Sequence, residues 1–395
     1  MSLQFCASAS PTSLERFVTT ELADLNEHAR DGALLFSDWV VHVLPSVANI
    51  RDEASAITAT DARKRLRRLL GVVAVSAEAN AQRCGLPVGA GLQHLPGVDV
   101  ALLLLAGRTG PPLTAWDFWM ETDPLLNFTH DKFPSTFRDA VRTQVVLSTE
   151  ANAITRRIID GEIDLTSPMG AHFMRLVGDL IQECGHAYRR LDKETKIDAA
   201  ENFQRFRTWL APSELFGTRW TGPNAAALSA MTNRDILLGT ASEYFTGYLR
   251  DDIYSHLSLR EQGEVDDDLR RGSVMDRVVD RLGYASIADF VSAEDAVDRV
   301  VELPHAFTMS ISAYAMALQN HYLSSGPHTA LVKTRLATDI DDAGTTDQIH
   351  AGVGVSGRPH ADHLRNLASM RRDLPAVIKL KGIVAEMSRT HAAAS

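Results

Sequence analysis

Cysteine is scarce: Cys6, Cys84 and Cys184 are the only three in 395 residues. They are too few and too scattered for a disulfide framework, and none sits in a CxxC pair, so a reducing compartment is expected. Long apolar runs are missing too. The longest, residues 100–106, is far short of the roughly 20 residues that cross a bilayer, and the opening MSLQFCASASPTSLERF has neither the basic start nor the apolar stretch of a secretory signal. A cytoplasmic protein with no membrane partner is the expectation. Positive charge is in deficit, with a net charge of −10, which gives no general attraction for phosphate backbones and excludes nucleic acid as an expected partner. No repeat period and no low-complexity tract is visible.

What is present is an ordinary globular composition, 45% hydrophobic and 23% charged, in a chain long enough for one large core or two medium domains. Apolar residues recur at spacings of three and four, while alternating runs with Asn-Gly or Asp-Gly turns are almost absent, so the expected fold class is all-α, a helical bundle. The spacing predicts helices over 14–30, 33–49, 60–84, 132–160, 170–192, 198–210, 234–259, 286–301, 304–323, 327–337 and 361–390. Breaks rich in Gly, Pro or charge are expected at 85–97, 108–114, 211–223, 263–272 and 339–359. The last is long enough to read as a cover over a site. Residues 1–110 are expected to form an N-terminal helical region, and 111–395 the catalytic helical domain.

Four stretches can carry chemistry. In SSGPHTALVKTRL, Gly326 and Pro327 are expected to start a helix on which His328, Leu331, Val332 and Arg335 share one face. A histidine among aliphatic residues there can ligate an iron in a dry pocket, and it can equally be a satisfied half-buried histidine. In LLNFTHDKFPSTFRDAV, His130, Phe133, Phe137 and Val141 fall on one helical face. The phenylalanines would frame a flat cavity with a proton-transferring imidazole at its edge, or simply belong to the core. The stretch from Glu201 to Leu228 joins an amphipathic helix to a turn in which Arg219 lies among aromatics. Its planar guanidinium suits a carboxylate, and a surface position suits it too. Finally, GVGVSG over 352–357 has the form of GxGxxG, but no strand precedes it, so a dinucleotide fold is rejected. Its glycines free the backbone to approach an anion and to close over a ligand.

Taken in order, these stretches resemble the tryptophan 2,3-dioxygenase superfamily of haem-dependent aromatic oxygenases. Thr129, His130 and Phe137 match its distal Thr-His and Phe. Asn202, Phe203, Phe206 and Arg207, followed by Leu210, Pro212, Ser213 and Phe216, resemble its helix and turn. His328, Leu331, Val332 and Arg335 resemble its proximal helix, with the arginine one position late. Gly352, Gly354, Ser356, Gly357, Leu364 and Arg365 resemble its closing loop and the helix after it. The likeness spans roughly residues 125 to 385. The family's carboxylate-binding arginine falls on Gly222, with Arg219 nearby, and the turn is closer to the family's specialised-metabolism branch.

The resemblance implies a tryptophan 2,3-dioxygenase-like bundle enclosing haem b, its iron held by His328 and the cofactor also met by Arg335, Arg207, Gly352 and Gly354. It further implies His130 as the catalytic group, with Phe133, Phe137, Arg219 and Ser356 toward the substrate. The partners are then a tryptophan- or tyrosine-derived amino acid and dioxygen or peroxide. A homo-oligomer is also among the expectations, with the N-terminal region at subunit contacts or over the haem.

A competing class is a non-haem di-iron oxygenase using Glu183, His186, Asp252 and His256, with Asp179 and His172 along the same helix. A magnesium-diphosphate enzyme, prompted by Asp251-Asp252 and Asp266-Asp267-Asp268, has poor spacing, and the second run is expected in a solvated loop. A non-catalytic helical adaptor would leave the faces around His130 and His328 unused. Should His328 prove not to be the iron ligand, His321, on the stripe of Phe307, Ile311, Tyr314 and Leu318, is the next candidate.

Overall fold

The computed structural model describes residues 13–106, 112–121, 126–130, 132–194, 213–220, 222, 227–342 and 360–394. These are helical almost throughout, as the three- and four-residue spacing predicts. The β structure among them is one antiparallel hairpin, β1 (Ser213–Leu215) with β2 (Thr218–Trp220). No described helix is long and apolar enough to cross a membrane. The chain divides into two compact units, the first built from Met1–Pro134 and Gln204–Pro223, the second from Ser135–Phe203, Asn224–Thr346 and His350–Ser395.

Unit 1 carries α1 (Ser13–Thr20), α2 (Leu22–Arg30), α3 (Phe36–Val47), α4 (Ile50–Ala56), α5 (Thr60–Arg83), α6 (Ala90–Gln93), α7 (Val98–Ala106), α8 (Ala115–Trp119) and the hairpin. The hairpin replaces the irregular turn expected at 211–223. Its turn residues Phe216 and Gly217 have φ of 50° and 74°, the left-handed pair that a two-residue hairpin requires and that a phenylalanine seldom supplies. The core of the unit closes on Asn26. Its amide donates to Ser76 Oγ (3.1 Å) and the Phe128 carbonyl (2.9 Å), and its Oδ1 accepts from Trp39 Nε1 (3.0 Å) and Asn80 Nδ2 (3.0 Å). Four bonds saturate a fully buried amide and tie α2, α3, α5 and the segment at Phe128 together.

Unit 2 holds most of α9 (Lys132–Ile159), then α10 (Pro168–Glu194), α11 (Ser229–Leu237), α12 (Glu243–Tyr248), a π turn over Leu249–Ile253, α13 (Leu259–Arg271), α14 (Val274–Arg281), α15 (Ile287–Ser292), α16 (Ala296–Glu302), α17 (His305–Asp342), α18 (His360–Asp373) and α19 (Pro375–Ala394). Its spine is α10 lying along α17. Small residues let the two approach: a Cβ on Gly178 would lie 3.5 Å from Ala317 Cα, and one on Gly185 3.2 Å from Ser324 Cα, seven residues further on in both helices.

Three local expectations are corrected. The break at 263–272 is helical, because Ser258 and Glu261 form a capping box at the start of α13 and buried Asp268 takes Arg156 (2.9 and 2.7 Å) at its end. Asp266, Asp267 and Asp268 therefore occupy a helix, not a solvated loop. The helix expected over 234–259 stops at Leu237, where Gly239 turns with φ 72°, and restarts at Glu243 under a Ser242 cap. Gly326 and Pro327 do not start a helix but lie inside α17. Proline removes one ladder bond, and the long contact with α10 carries the helix past it. The helix predicted at 198–210 lies outside the described residues.

Asn26→Ala is expected to destabilise the chain by about 3 kcal/mol, since it strands several buried polar groups at once. Urea denaturation measures this, and a loss under about 1 kcal/mol would mean that the four bonds are not what closes unit 1.

Candidate functional site

His130 precedes α9 rather than riding on it, so the helical face expected for it begins only at Lys132. It is held instead by α2. Its backbone N–H donates to Glu27 Oε1 (2.6 Å), and its Nε2 meets Asp24 Oδ1 at 2.9 Å. The Phe128 carbonyl two residues earlier is fixed by Asn26. Three residues of one helix thus hold three points of a short segment, yet the imidazole stays 60% exposed. With a proton on Nε2 given to Asp24, Nδ1 is the basic nitrogen, the arrangement of an oriented general base. Nothing in the local sequence around His130 announces Asp24 or Glu27, which lie over a hundred residues earlier.

The second constellation sits in the core of unit 2. Asp235, 1% exposed, accepts His321 Nε2 (2.6 Å), Arg371 Nε (2.8 Å) and Thr240 Oγ1 (2.9 Å) on Oδ1, and Arg371 Nη2 (2.5 Å) on Oδ2. Arg371 also donates to Ser325 Oγ. One carboxylate so joins α11, α17 and α18. Burial alone would raise its pKa, but Arg371, with His321, holds it well below the usual carboxylate range. Burial pushes His321 down to about 3, Asp235 opposing the fall and Arg371 and Arg234 adding to it. The imidazole is therefore neutral, with Nε2–H given to Asp235 and Nδ1 fully buried without a partner. With Nε2 committed to Asp235, the buried and unpartnered Nδ1 is the ring nitrogen of His321 left to act as a ligand.

The other sequence-predicted residues divide as follows. Phe137 is buried on α9 and packs against Tyr188 of α10 at 6.3 Å between ring centroids. Arg219 pairs with Glu214 across the hairpin register. His328 and Arg335 lie on α17, His328 two helical turns beyond His321. The side chains of Phe133, Arg219, His328 and Arg335 lie outside the described residues, as do Arg207, Gly352, Gly354 and Ser356 altogether. Glu183 and His186 meet on α10 at 2.9 Å as a partly exposed ion pair. Asp252 and His256 interact through the Asp252 backbone, with burial pushing the His256 pKa down. Among the described residues no three His, Cys, Asp or Glu side chains converge as a metal-holding group, so these pairs are not assembled into a di-iron ligand set.

The sign of the His321 shift fixes a pH effect. Its pKa falls from 6.5 unfolded to about 3 folded, so its contribution is present above pH 6.5 and lost as pH drops toward 3. Stability should fall by about 1.4 kcal/mol per pH unit within that window. Denaturation series at several pH values on the wild type and His321→Gln test this, the variant showing a shallower slope. Equal slopes would mean that His321 is protonated in the fold. No protein-family model matches the chain, and comparison with curated proteins finds no match.

Proposed function

We propose that the chain is a haem-dependent oxygenase acting on a tryptophan- or tyrosine-derived amino acid in specialised metabolism, by hydroxylation or a related oxygen insertion. The observation that carries the reading is His130. It is the histidine that stands seven residues ahead of Phe137, as in the dioxygenase superfamily, and its ring is oriented by Asp24 while left open to a ligand. The imidazole that the reading assigns to a haem iron is that of His328, whose side chain lies outside the described residues. A porphyrin supplies four nitrogens of its own and asks the protein for one imidazole, whereas a di-iron centre asks for a converging set of carboxylates and histidines, which the described residues do not form.

When bound, the haem would supply activation of dioxygen or peroxide. His328 would hold its iron, and Arg335, Arg207 and the backbone of Gly352 and Gly354 would meet its periphery. His130 Nδ1 would accept the proton of an indole N–H or a phenol, with Asp24 stabilising the imidazolium that results. Phe133 and Phe137 would wall the aromatic ring, Arg219 would reach for the carboxylate, and the loop carrying Ser356 would exclude water on closing.

Haem titration of the purified chain should produce a Soret band that His328→Ala abolishes. His130→Ala should keep the band but slow turnover about 10²- to 10⁴-fold, and Asp24→Asn should slow it less. A normal band in His328→Ala would remove that residue as the ligand, and a colourless wild type would remove the haem.

A further inference from the structure

Positive charge in the core of unit 2 is not balanced. Arg371 is answered by Asp235, and His321 is neutral. Arg234, next to Asp235 in α11 and 5% exposed, is answered by no carboxylate at hydrogen-bonding distance among the described residues: its hydrogen-bond partners there are Ser148 Oγ, 3.3 Å from Nη1, and Cys184, and its Nε has none. Burial pushes its pKa down; Cys184 opposes the fall most, and the repulsion of Arg371 and the attraction of the neighbouring Asp235 come after it. A guanidinium keeps its proton even when buried, and a buried charge without a counter-charge is costly enough that proteins seldom retain one for packing alone.

The surroundings say what kind of group would answer it. Gln144, 2% exposed, is a second polar side chain in the same cluster, and its amide nitrogen meets no acceptor at full hydrogen-bond geometry. Gln144 hydrogen-bonds Tyr188, which also feels the Arg234 charge. Tyr188 in turn packs on Phe137, one helical face of α9 carrying Phe137, Gln144 and Ser148. A cation and an amide donor beside two aromatic rings are complementary to an acceptor-only anion attached to a flat apolar body.

We propose that Arg234, in place of Arg219, is the carboxylate-binding residue, and that an aromatic acid seats its carboxylate on the Arg234 guanidinium beside the Gln144 amide with its ring toward Phe137 and Tyr188. The choice of an aromatic acid rests on the oxygenase reading above. A haem propionate presents the same carboxylate, and the test separates the two sources.

The full chain as purified is titrated calorimetrically with indole-3-propionate and with its neutral isostere indole-3-propionamide, and in a second arm with haem and haem dimethyl ester. A preference for the free carboxylate of about tenfold or more in either arm is expected, and the arm that shows it identifies the source. Arg234→Gln should bring that preference close to unity. Cys184→Asp, which supplies a carboxylate beside the guanidinium from within, should do the same while raising the melting temperature, a gain that loss of packing would not give. The inference is overturned if the wild type shows no preference in either arm, or if folded Cys184→Asp retains it. A preference for indole-3-propionate in a chain that shows no Soret band leaves Arg234 as the site and removes the haem. A Soret band without any carboxylate preference removes this inference alone.

Discussion

A carboxylate shut away from water must find its hydrogen bonds in the protein, and Asp235 finds them on three separate segments. Its two oxygens are claimed by His321 of α17, Arg371 of α18 and Thr240 just past α11. None of these can slide by a residue without leaving an ion bare in the core, a defect worth about 3 to 5 kcal/mol. The register of α17 is therefore set at His321, and everything carried further along that helix, His328 and Arg335 included, inherits its backbone position from that contact. The Gly178 and Gly185 contacts act in the same direction, since close backbone approach to Ala317 and Ser324 tolerates no other phase of α17 against α10.

Unit 1 solves a similar problem without charge. Asn26 has as many hydrogen-bonding sites as the partners around it, so its burial creates no electrostatic imbalance and no dependence on pH. The consequence for His130 is direct. Asn26, Asp24 and Glu27 all belong to α2, so the helix that is locked into the core by its amide also presents the two carboxylates that hold the histidine's ring and backbone. The ring is held from behind while the imidazole keeps its exposure, which is what the proposed role of His130 requires.

Helix content was legible because burial repeats with the helical period along α9, α10 and the described part of α17, and such periodicity survives any tertiary arrangement. The failures came where a local signal was outvoted. Pro327 reads as a boundary, yet α17 continues through it because packing against α10 outweighs one missing ladder bond. The aspartates at 266–268 read as solvated, yet Asp268 is buried against Arg156, a partner 112 residues away. The hairpin carries Phe-Gly where Asn-Gly would announce it, with Phe216 forced to a φ of 50°. Spacing could nominate His130 and Phe137, but Asp24, Asp235 and Arg371 become site residues only through contacts across long stretches of chain. One signal was available: adjacent Arg234 and Asp235 at the end of α11, running into the apolar Ile236 and Leu237, are two separate charges that burial must either satisfy or use.

That distinction separates the buried charges of unit 2 by purpose. Asp268 with Arg156, and Asp235 with Arg371, are closed accounts in which every charge meets its opposite at hydrogen-bonding distance. Such pairs fix geometry and need nothing further. Arg234 differs in kind: it shares the same core, borders the aromatic pair of Phe137 and Tyr188, and is left with thiol and hydroxyl neighbours that cannot neutralise a guanidinium as neutral groups. Counter-charges placed elsewhere in the same core, with none at hydrogen-bonding distance of Arg234 among the described residues, are what the proposal of an anion arriving from outside rests on, and under the proposed oxygenase reading that anion is a substrate carboxylate or a cofactor propionate.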